Sequence, residues 1–388
     1  MTEPVPNDRT RPSLATVLRE WGRIGVIGFG GPPTHIRLLR QLCVEHRQWI
    51  TAAEFEDAIA ACNLLPGPAS TQLAIYCAWR LRGRTGALIG GAAFILPGLV
   101  IILALAALFL AGSPPHWVLG AVAGAGAAVA PVAVQAGVSL VPASWARRAN
   151  SIRWIAYLLT GGVATATLGP WLVLVILGCG LIELTIRKPT PAGHLPHGVV
   201  ALPLATATAA GTLLSLAWVG VKVGALSYGG GFVIIPLMQA DAVNHYHWMS
   251  GAQFLNAVAL GQLTPGPVVQ TVAVIGYAAA GLPGGLLASA VAFTPSFAFI
   301  LLGAPRFDQL RRNTRTRYFL DGAGPAAIGA ILGSAIPLAL ALTQPWQYAV
   351  LGGAAILLLA LKRGVVTTLL TAATTGTLLV TAGLALPH

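Results

Sequence analysis

The chain has 388 residues, of which 56% are hydrophobic and only 9% charged, and it carries a formal net charge of +12 at pH 7. Soluble domains carry about 25% charged residues, so a soluble fold is excluded. A nucleic-acid partner is excluded too: the basic residues fall in short clusters between apolar runs, with no basic stripe interleaved with aromatics.

No Asp, Glu, Lys or Arg occurs from Thr85 to Ala146, from Ala242 to Pro305, or from Gly364 onward. Apolar runs of about 20 residues or more read as membrane spans. Lipid admits only helices and closed barrels, and the alternation of barrel strands is missing, so the predicted fold is all-α and polytopic.

Residues 1–20 are polar, with no apolar core or cleavage site of a signal peptide, so the first apolar segment is expected to direct insertion. That segment, Trp21–Ile36, is interrupted by Gly28, Gly30, Gly31, Pro32 and Pro33. Phe55–Trp79 is broken at Pro66-Gly67-Pro68 and closed by Arg80, Arg82 and Arg84. Spans are predicted near Gly86–Ala111, Trp117–Val141, Trp154–Leu168 and Trp171–Ile186, the last two as a hairpin. A Pro/Gly/His-rich linker and an apolar helix, Val199–Ala217, follow. Broken segments then return at Val219–Ala240 and Phe254–Ala280. The final spans lie near Leu282–Ala304, Tyr318–Leu342, Pro345–Leu361 and Val365–Leu386.

The order repeats because the sequence does. Trp49-Ile50 and Leu65-Pro66-Gly67-Pro68 recur 199 residues later as Trp248-Met249 and Thr264-Pro265-Gly266-Pro267. Arg23-Ile24-Gly25 and Gly30-Gly31 recur as Lys222-Val223-Gly224 and Gly229-Gly230. A repeat of half the chain, with Gly/Pro-interrupted apolar segments, is how many secondary transporters are built. The expected domains are a first repeat (1–188), a linker with a connecting helix (189–217) and a second repeat (218–388).

Loop charge sets the expected orientation. Arg80–Arg84 is basic and its counterpart Ala279–Pro283 uncharged; Ser113–His116 has no fixed charge and its counterpart Arg306–Arg317 holds five arginines. Arg147–Arg153 is basic where the region of Gln344 is neutral, and Gly169-Pro170 is neutral where Lys362-Arg363 is basic. Under the positive-inside rule this alternation predicts two inverted-topology repeats, a cytosolic N-terminus and a periplasmic C-terminus. A reporter fused at the C-terminus is therefore expected to be active only in the periplasm; activity confined to the cytosol rules the topology out.

The broken segments are the expected site. Proline interrupts the backbone ladder and glycine admits close approach, so the helices restarting after Pro68 and Pro267 offer free N–H groups and a positive dipole end to an anion. Ser70, Thr71, Gln72, Gln270 and Thr271 add side-chain donors, with Asn63, Gln262 and Thr264 on the near side. A single Pro-Gly-Pro is equally a kink; two copies at equal spacing favour a site. Gly30-Gly31 and Gly229-Gly230-Gly231 form either an anion-cradling nest or a close helix contact. Lys222 reads as a substrate cation or as a side chain snorkelling beside Trp218, and Arg23 is its equivalent. Coupling candidates are Asp57, which aligns with Asn256, then His35 and Arg23; the bland readings are a helix-end acid, a packing histidine and an interfacial cation.

Cys43, Cys62, Cys77 and Cys179 have no metal-ligand spacing and read as packing residues. HExxH, GxSxG and Walker patterns are missing, so no enzyme activity, cofactor or metal is expected, and any pumping uses an ion gradient or counter-substrate. Homo-oligomerisation is left open.

Four motifs in order resemble the chromate ion transporter (CHR) family of the long, two-domain type: Phe29–Ile36 (FGGPPTHI), Leu65–Ala74 (LPGPASTQLA), Gly224–Gly231 (GALSYGGG) and Thr264–Val268 (TPGPV). The resemblance implies a bacterial inner-membrane protein that exports chromate and confers chromate resistance, with sulfate as a chemically similar oxyanion. It places family motif residues on Gly30, Gly31, Pro32, His35, Pro66, Gly67, Pro68, Ser70, Thr71, Gln72, Gly229, Gly230, Gly231, Pro265, Gly266 and Pro267. Val268-Val269 stands where the first half has Ala69-Ser70, which implies unequal contributions from the halves.

Overall fold

The computed structural model describes residues 12–63, 65, 67–110, 114–167, 172–187, 211–227, 234–304 and 313–387. Pro66, Gly229, Gly230 and Gly231, the linker up to residue 210, Gly169-Pro170 and the arginines before Asn313 lie outside them. The described residues are helical, without strands. The first half contains α1 (Leu14–Ile27), α2 (Pro32–Arg40), α3 (Ala52–Cys62), α4 (Ala69–Phe109), α5 (His116–Ala127), α6 (Val129–Ala146), α7 (Ser151–Thr167) and α8 (Leu172–Arg187). The second contains α9 (Thr212–Leu226), α10 (Ile234–Gln239), α11 (Gly251–Leu263), α12 (Thr271–Gly303), α13 (Thr314–Leu340), α14 (Pro345–Ala355) and α15 (Val365–Thr381). Four stretches are long and apolar enough to cross a membrane: Ala69–Phe109, His116–Ala146, Val268–Gly303 and Thr314–Leu340.

The repeat extends to fine geometry. The last turns of α2 and α10 widen into π-helix at Gln41–His46 and Ala240–His245. Gln48 and His247 follow with positive φ (50° and 53°). The next helices are capped alike: Thr51 Oγ1 accepts from Glu54 N–H, and Ser250 Oγ from Gln253 N–H. All three pairs keep the spacing of 199. α9 matches α1 and runs unbroken through Ala217, where the sequence suggests the connecting helix ends.

α4 is two helical arms joined at a kink, where Arg82 and Gly83 leave helical geometry and the chain turns back. Gly90 lies against Ala78 and Gly91 against Ile75; a straight helix at 1.5 Å per residue would hold these pairs about 18 and 24 Å apart. α12 reverses in the same way at Ala280-Gly281, bringing Gly276 against Gly284 and Ala288. Each is a helical hairpin whose first arm begins at a break.

Helix packing crosses between the halves. α1 lies on α4 and α9 on α12, and α4 packs on α12. α13 packs on α7 and α8 of the first half, while α5 of the first half packs on α15. Small residues bring these backbones together: Gly161 meets Ala326, Gly162 meets Gly333, and Gly124 meets Ala372 and Gly376. Hydrocarbon provides little drive for helix association, so such close packing replaces it. Apolar side chains such as Val100, Leu159, Leu302, Leu340 and Leu378 are exposed on the outer surface, as a lipid-facing girdle requires.

Candidate functional site

At each break the chain enters a backbone region open to glycine. Gly67 has φ +117° and Gly266 φ +100°. After the first, Pro68 caps α4 without any side-chain cap, and Thr71 and Gln72 N–H both donate to Pro68 O at 3.0 Å. That leaves Ala69 and Ser70 N–H as first-turn donors without an intrahelical acceptor. After the second, Val268–Gln270 forms a 3-10 turn before α12.

The 3-10 turn marks a one-residue deletion. Gly67 and Gly266 are 199 residues apart, but the hairpin glycines Gly83 and Gly281 and the helix prolines Pro97 and Pro295 are 198 apart. Beyond the break, therefore, Gln72 corresponds to Gln270, and Gly98 to Ser296.

The hairpins set the depth of the breaks. Pro68 lies 15 residues before Gly83 and Gly98 lies 15 after it; Gly266 and Ser296 flank Gly281 by the same 15. Equal arms place each Pro-small pair, Pro97-Gly98 and Pro295-Ser296, level with the break of its own half. Each pair also touches the break of the other half. A methyl group on Gly67 would sit 3.3 Å from Ser296 Oγ and 3.4 Å from Gly224 O, and one on Gly98 would overlap Pro265 O and lie 2.5 Å from Gln270 Oε1. Gln270 Nε2 donates to Ile95 O at 2.7 Å, and Gly266 N–H to Gly28 O at 3.1 Å. The two breaks thus occupy one level between α4 and α12.

This level is polar and closed off. Ser70, Thr71, Gln72, Ser227, Gln262, Gln270, Thr271 and Ser296 are all buried. Thr71 Oγ1, Ser227 Oγ, Gln262 Nε2, Gln270 Oε1 and Ser296 Oγ have no hydrogen-bond partner among the described residues. Each unsatisfied buried group costs about 1–3 kcal/mol. Except for Gln270 Oε1, which only accepts, these are neutral groups able to donate, and at uncapped helix starts they suit an anion better than a cation.

His35 belongs to the same level. It is fully buried; its Nε2 lies 2.9 Å from Gly28 O, its Nδ1 3.3 Å from Ser70 Oγ, and its ring stands edge-on to Phe94 at 5.0 Å. A carbonyl only accepts, so Nε2 carries the proton and Nδ1 receives the Ser70 hydroxyl. Gly28 O therefore joins α1, His35 and the second break. Gly30 and Gly31 precede α2 with φ +99° and +72°, and Gly31 faces Val268.

The other charged candidates lie elsewhere. Lys222 Nζ is 2.7 and 2.6 Å from the two Asp241 carboxylate oxygens and faces the Trp218 ring at 5.7 Å, so its charge is matched. Arg23 is exposed on α1, and Asp57 is exposed on α3 with a partner of its own. Among the described residues no cluster of three or more His, Cys, Asp or Glu is placed to hold a metal, and all four cysteines are buried and unpaired.

Sequence reading overlooked Ser296 and Gly98. The signal was available: Pro295-Ser296 repeats Pro97-Gly98 at 198 rather than 199. A cavity of about 520 Å³ reaches Gly67 and Leu65 from one side, walled by α3 and the ends of α6 and α13.

A helical membrane protein with two sequence repeats, broken segments meeting at one level and a cavity leading to them has the build of a polytopic transporter. The chain belongs to the chromate transporter family, whose sequence pattern matches residues 15–184 and 214–378, once per repeat. It is 34% identical over 361 residues to the "Chromate transport protein" of Cupriavidus metallidurans, covering 87% of this chain and 88% of that one. It is 31% identical over 339 residues to the "Probable chromate transport protein" of Synechococcus elongatus, covering 84% of each chain. An uncharacterized transporter of Methanocaldococcus jannaschii is 26% identical over 367 residues. No solved structure matches the chain.

Proposed function

We propose that this protein exports chromate from the bacterial cytoplasm across the inner membrane by gradient-coupled alternating access, and so confers chromate resistance. The observation that carries this reading is the meeting of two uncapped helix starts, at Pro68 and Pro267, with orphaned polar side chains from both halves. The substrate follows from the family: the C. metallidurans relative, matched along most of both chains, is a chromate transport protein. Chromate is a tetrahedral oxyanion, and helix N-termini with neutral hydroxyl and amide donors bind such ions.

The site is assigned to Gly67, Pro68, Ser70, Thr71, Gln72, Pro265, Gly266, Pro267, Gln270 and Thr271, with Gly30, Gly31, Ser227 and Ser296 beside them. The two repeats are taken as inverted, with the N-terminus in the cytosol, because loop basicity alternates between them. Under that orientation the cavity below Gly67 opens to the cytosol, on the side of Arg147. Rocking of the hairpins α4 and α12 against each other then closes it and opens the opposite face. His35 is the coupling residue best placed, since Ser70 at the first helix start hydrogen-bonds to it.

A passive oxyanion channel or an exchanger is the alternative, and everted membrane vesicles separate the readings. Labelled chromate is expected to accumulate against its gradient and to stop accumulating when the proton gradient is collapsed; unlabelled sulfate reports selectivity. Equilibration without accumulation supports the channel, and no chromate flux at all overturns the substrate.

A further inference from the structure

We propose that Arg147 and Arg317 form an anion-collecting vestibule that concentrates oxyanions in front of the first break and rejects cations before they reach it. This rests on the oxyanion-transport reading above and adds the residues that select by charge. Both side chains line the cavity that ends at Gly67. Arg147 follows the last turn of α6, and Arg317 lies in the first turn of α13.

The charge balance of the cavity is the central observation. Its acids are Glu56 and Asp321. Both are engaged by cations that do not line it: Glu56 by Arg40, which also reaches Glu45 at 3.7 Å, and Asp321 by Arg187 Nη1 at 2.9 Å. Arg187 also bonds Glu183 at 2.9 Å, and Arg153 bonds Glu183 at 2.9 Å, which closes a network of two arginines and two acids. Arg147 and Arg317 have no ion-pair partner within 4.0 Å among the described residues, and both are exposed. The cavity therefore presents two arginines that stand outside any ion pair and act on Asp321 only at longer range.

Helix electrostatics account for only one of them. A cation after α6 complements the negative end of that helix, but a cation in the first turn of α13 faces its positive end and is disfavoured there. Two guanidinium forks beside a pocket with apolar walls match the geometry of a tetrahedral oxyanion. Clefts lined by one sign of charge raise on-rates by roughly 10- to 1,000-fold in a salt-dependent way.

The test uses the full chain in proteoliposomes. Arg147→Gln and Arg317→Gln are each expected to raise the KM for chromate about 3- to 10-fold, and the double variant more, with maximal rate held within about twofold. The salt dependence of kcat/KM is expected to flatten in the double variant and to return with Arg147→Lys/Arg317→Lys. A second measurement needs no chromate. Ala143→Cys, on the cavity wall, is introduced with the four native cysteines changed to Ala, and labelled with anionic and cationic methanethiosulfonates of similar size. The anionic reagent is expected to react about tenfold faster, and the double Gln variant to lose that preference. A preference that survives in the double variant, or an unchanged KM and salt dependence in the native-cysteine protein, overturns the vestibule. A preference that follows the arginines in a protein that carries no chromate overturns the oxyanion substrate and leaves the vestibule standing.

Discussion

Gly67→Val and Gly266→Val are each expected to reduce chromate transport at least tenfold while leaving membrane insertion intact. Two costs combine at these positions. Their φ values of +117° and +100° lie where a β-branched residue is strained by about 1–3 kcal/mol. At Gly67 the added side chain also meets close neighbours: a methyl there would lie 2.5 Å from Gln72 Nε2 and 3.3 Å from Ser296 Oγ. To relieve the clash, the Gln72 side chain must swing out of the site and Ser296 of α12 must give by a few tenths of an ångström, which disturbs donors from both halves. At Gly266 the nearest neighbour is the Gln270 side chain at 3.3 Å, so backbone strain dominates and the defect is expected to be milder. Initial chromate uptake in everted vesicles, normalised to protein in the membrane fraction, checks both. Wild-type uptake by a well-inserted Gly67→Val variant removes the first break from the site.

The second prediction runs in opposite directions for stability and transport. Thr71→Val with Ser296→Ala removes two buried hydroxyls that have no hydrogen-bond partner among the described residues. Replacing an unsatisfied group with an apolar one of similar shape recovers about 1–3 kcal/mol of desolvation cost. The double variant is therefore expected to melt several degrees higher in detergent. Its chromate uptake is expected to fall about tenfold or more, because the oxyanion loses donors whose polarity is tolerated only for function. Structural hydroxyls would give the reverse, a lower melting temperature. Thermal unfolding and uptake measured on one preparation distinguish the two.

The charged candidates show what kind of information a sequence holds. Lys222 stands alone between Lys188 and Asp241 in the sequence, which makes it look like an isolated intramembrane cation. The turn after α10 returns Asp241 to it at 2.6 Å and neutralises it. Asp57 and Arg23 lie near the broken segments in sequence, yet helix rotation sends both to exposed faces. His35 reads in the sequence as a lone histidine that either titrates or packs, and it is the coupling candidate held against Ser70.

The sequence alone determined the membrane class, the two-fold repeat, and the breaks at the two Pro-Gly-Pro triplets. Those follow from local chemistry: proline has no N–H to donate, glycine alone tolerates the positive φ at Gly67 and Gly266, and charge is expelled from lipid-length apolar runs. The tertiary structure decided that Gly98 and Ser296 meet the opposite breaks, that Gln72 and Gln270 are counterparts across a one-residue deletion, and that Arg147 and Arg317 share a cavity. These depend on hairpin reversals at Gly83 and Gly281 and on which helix crosses which. Contacts between residues nearly 200 positions apart arise from packing between helices, and no local pattern of residues encodes such a contact directly.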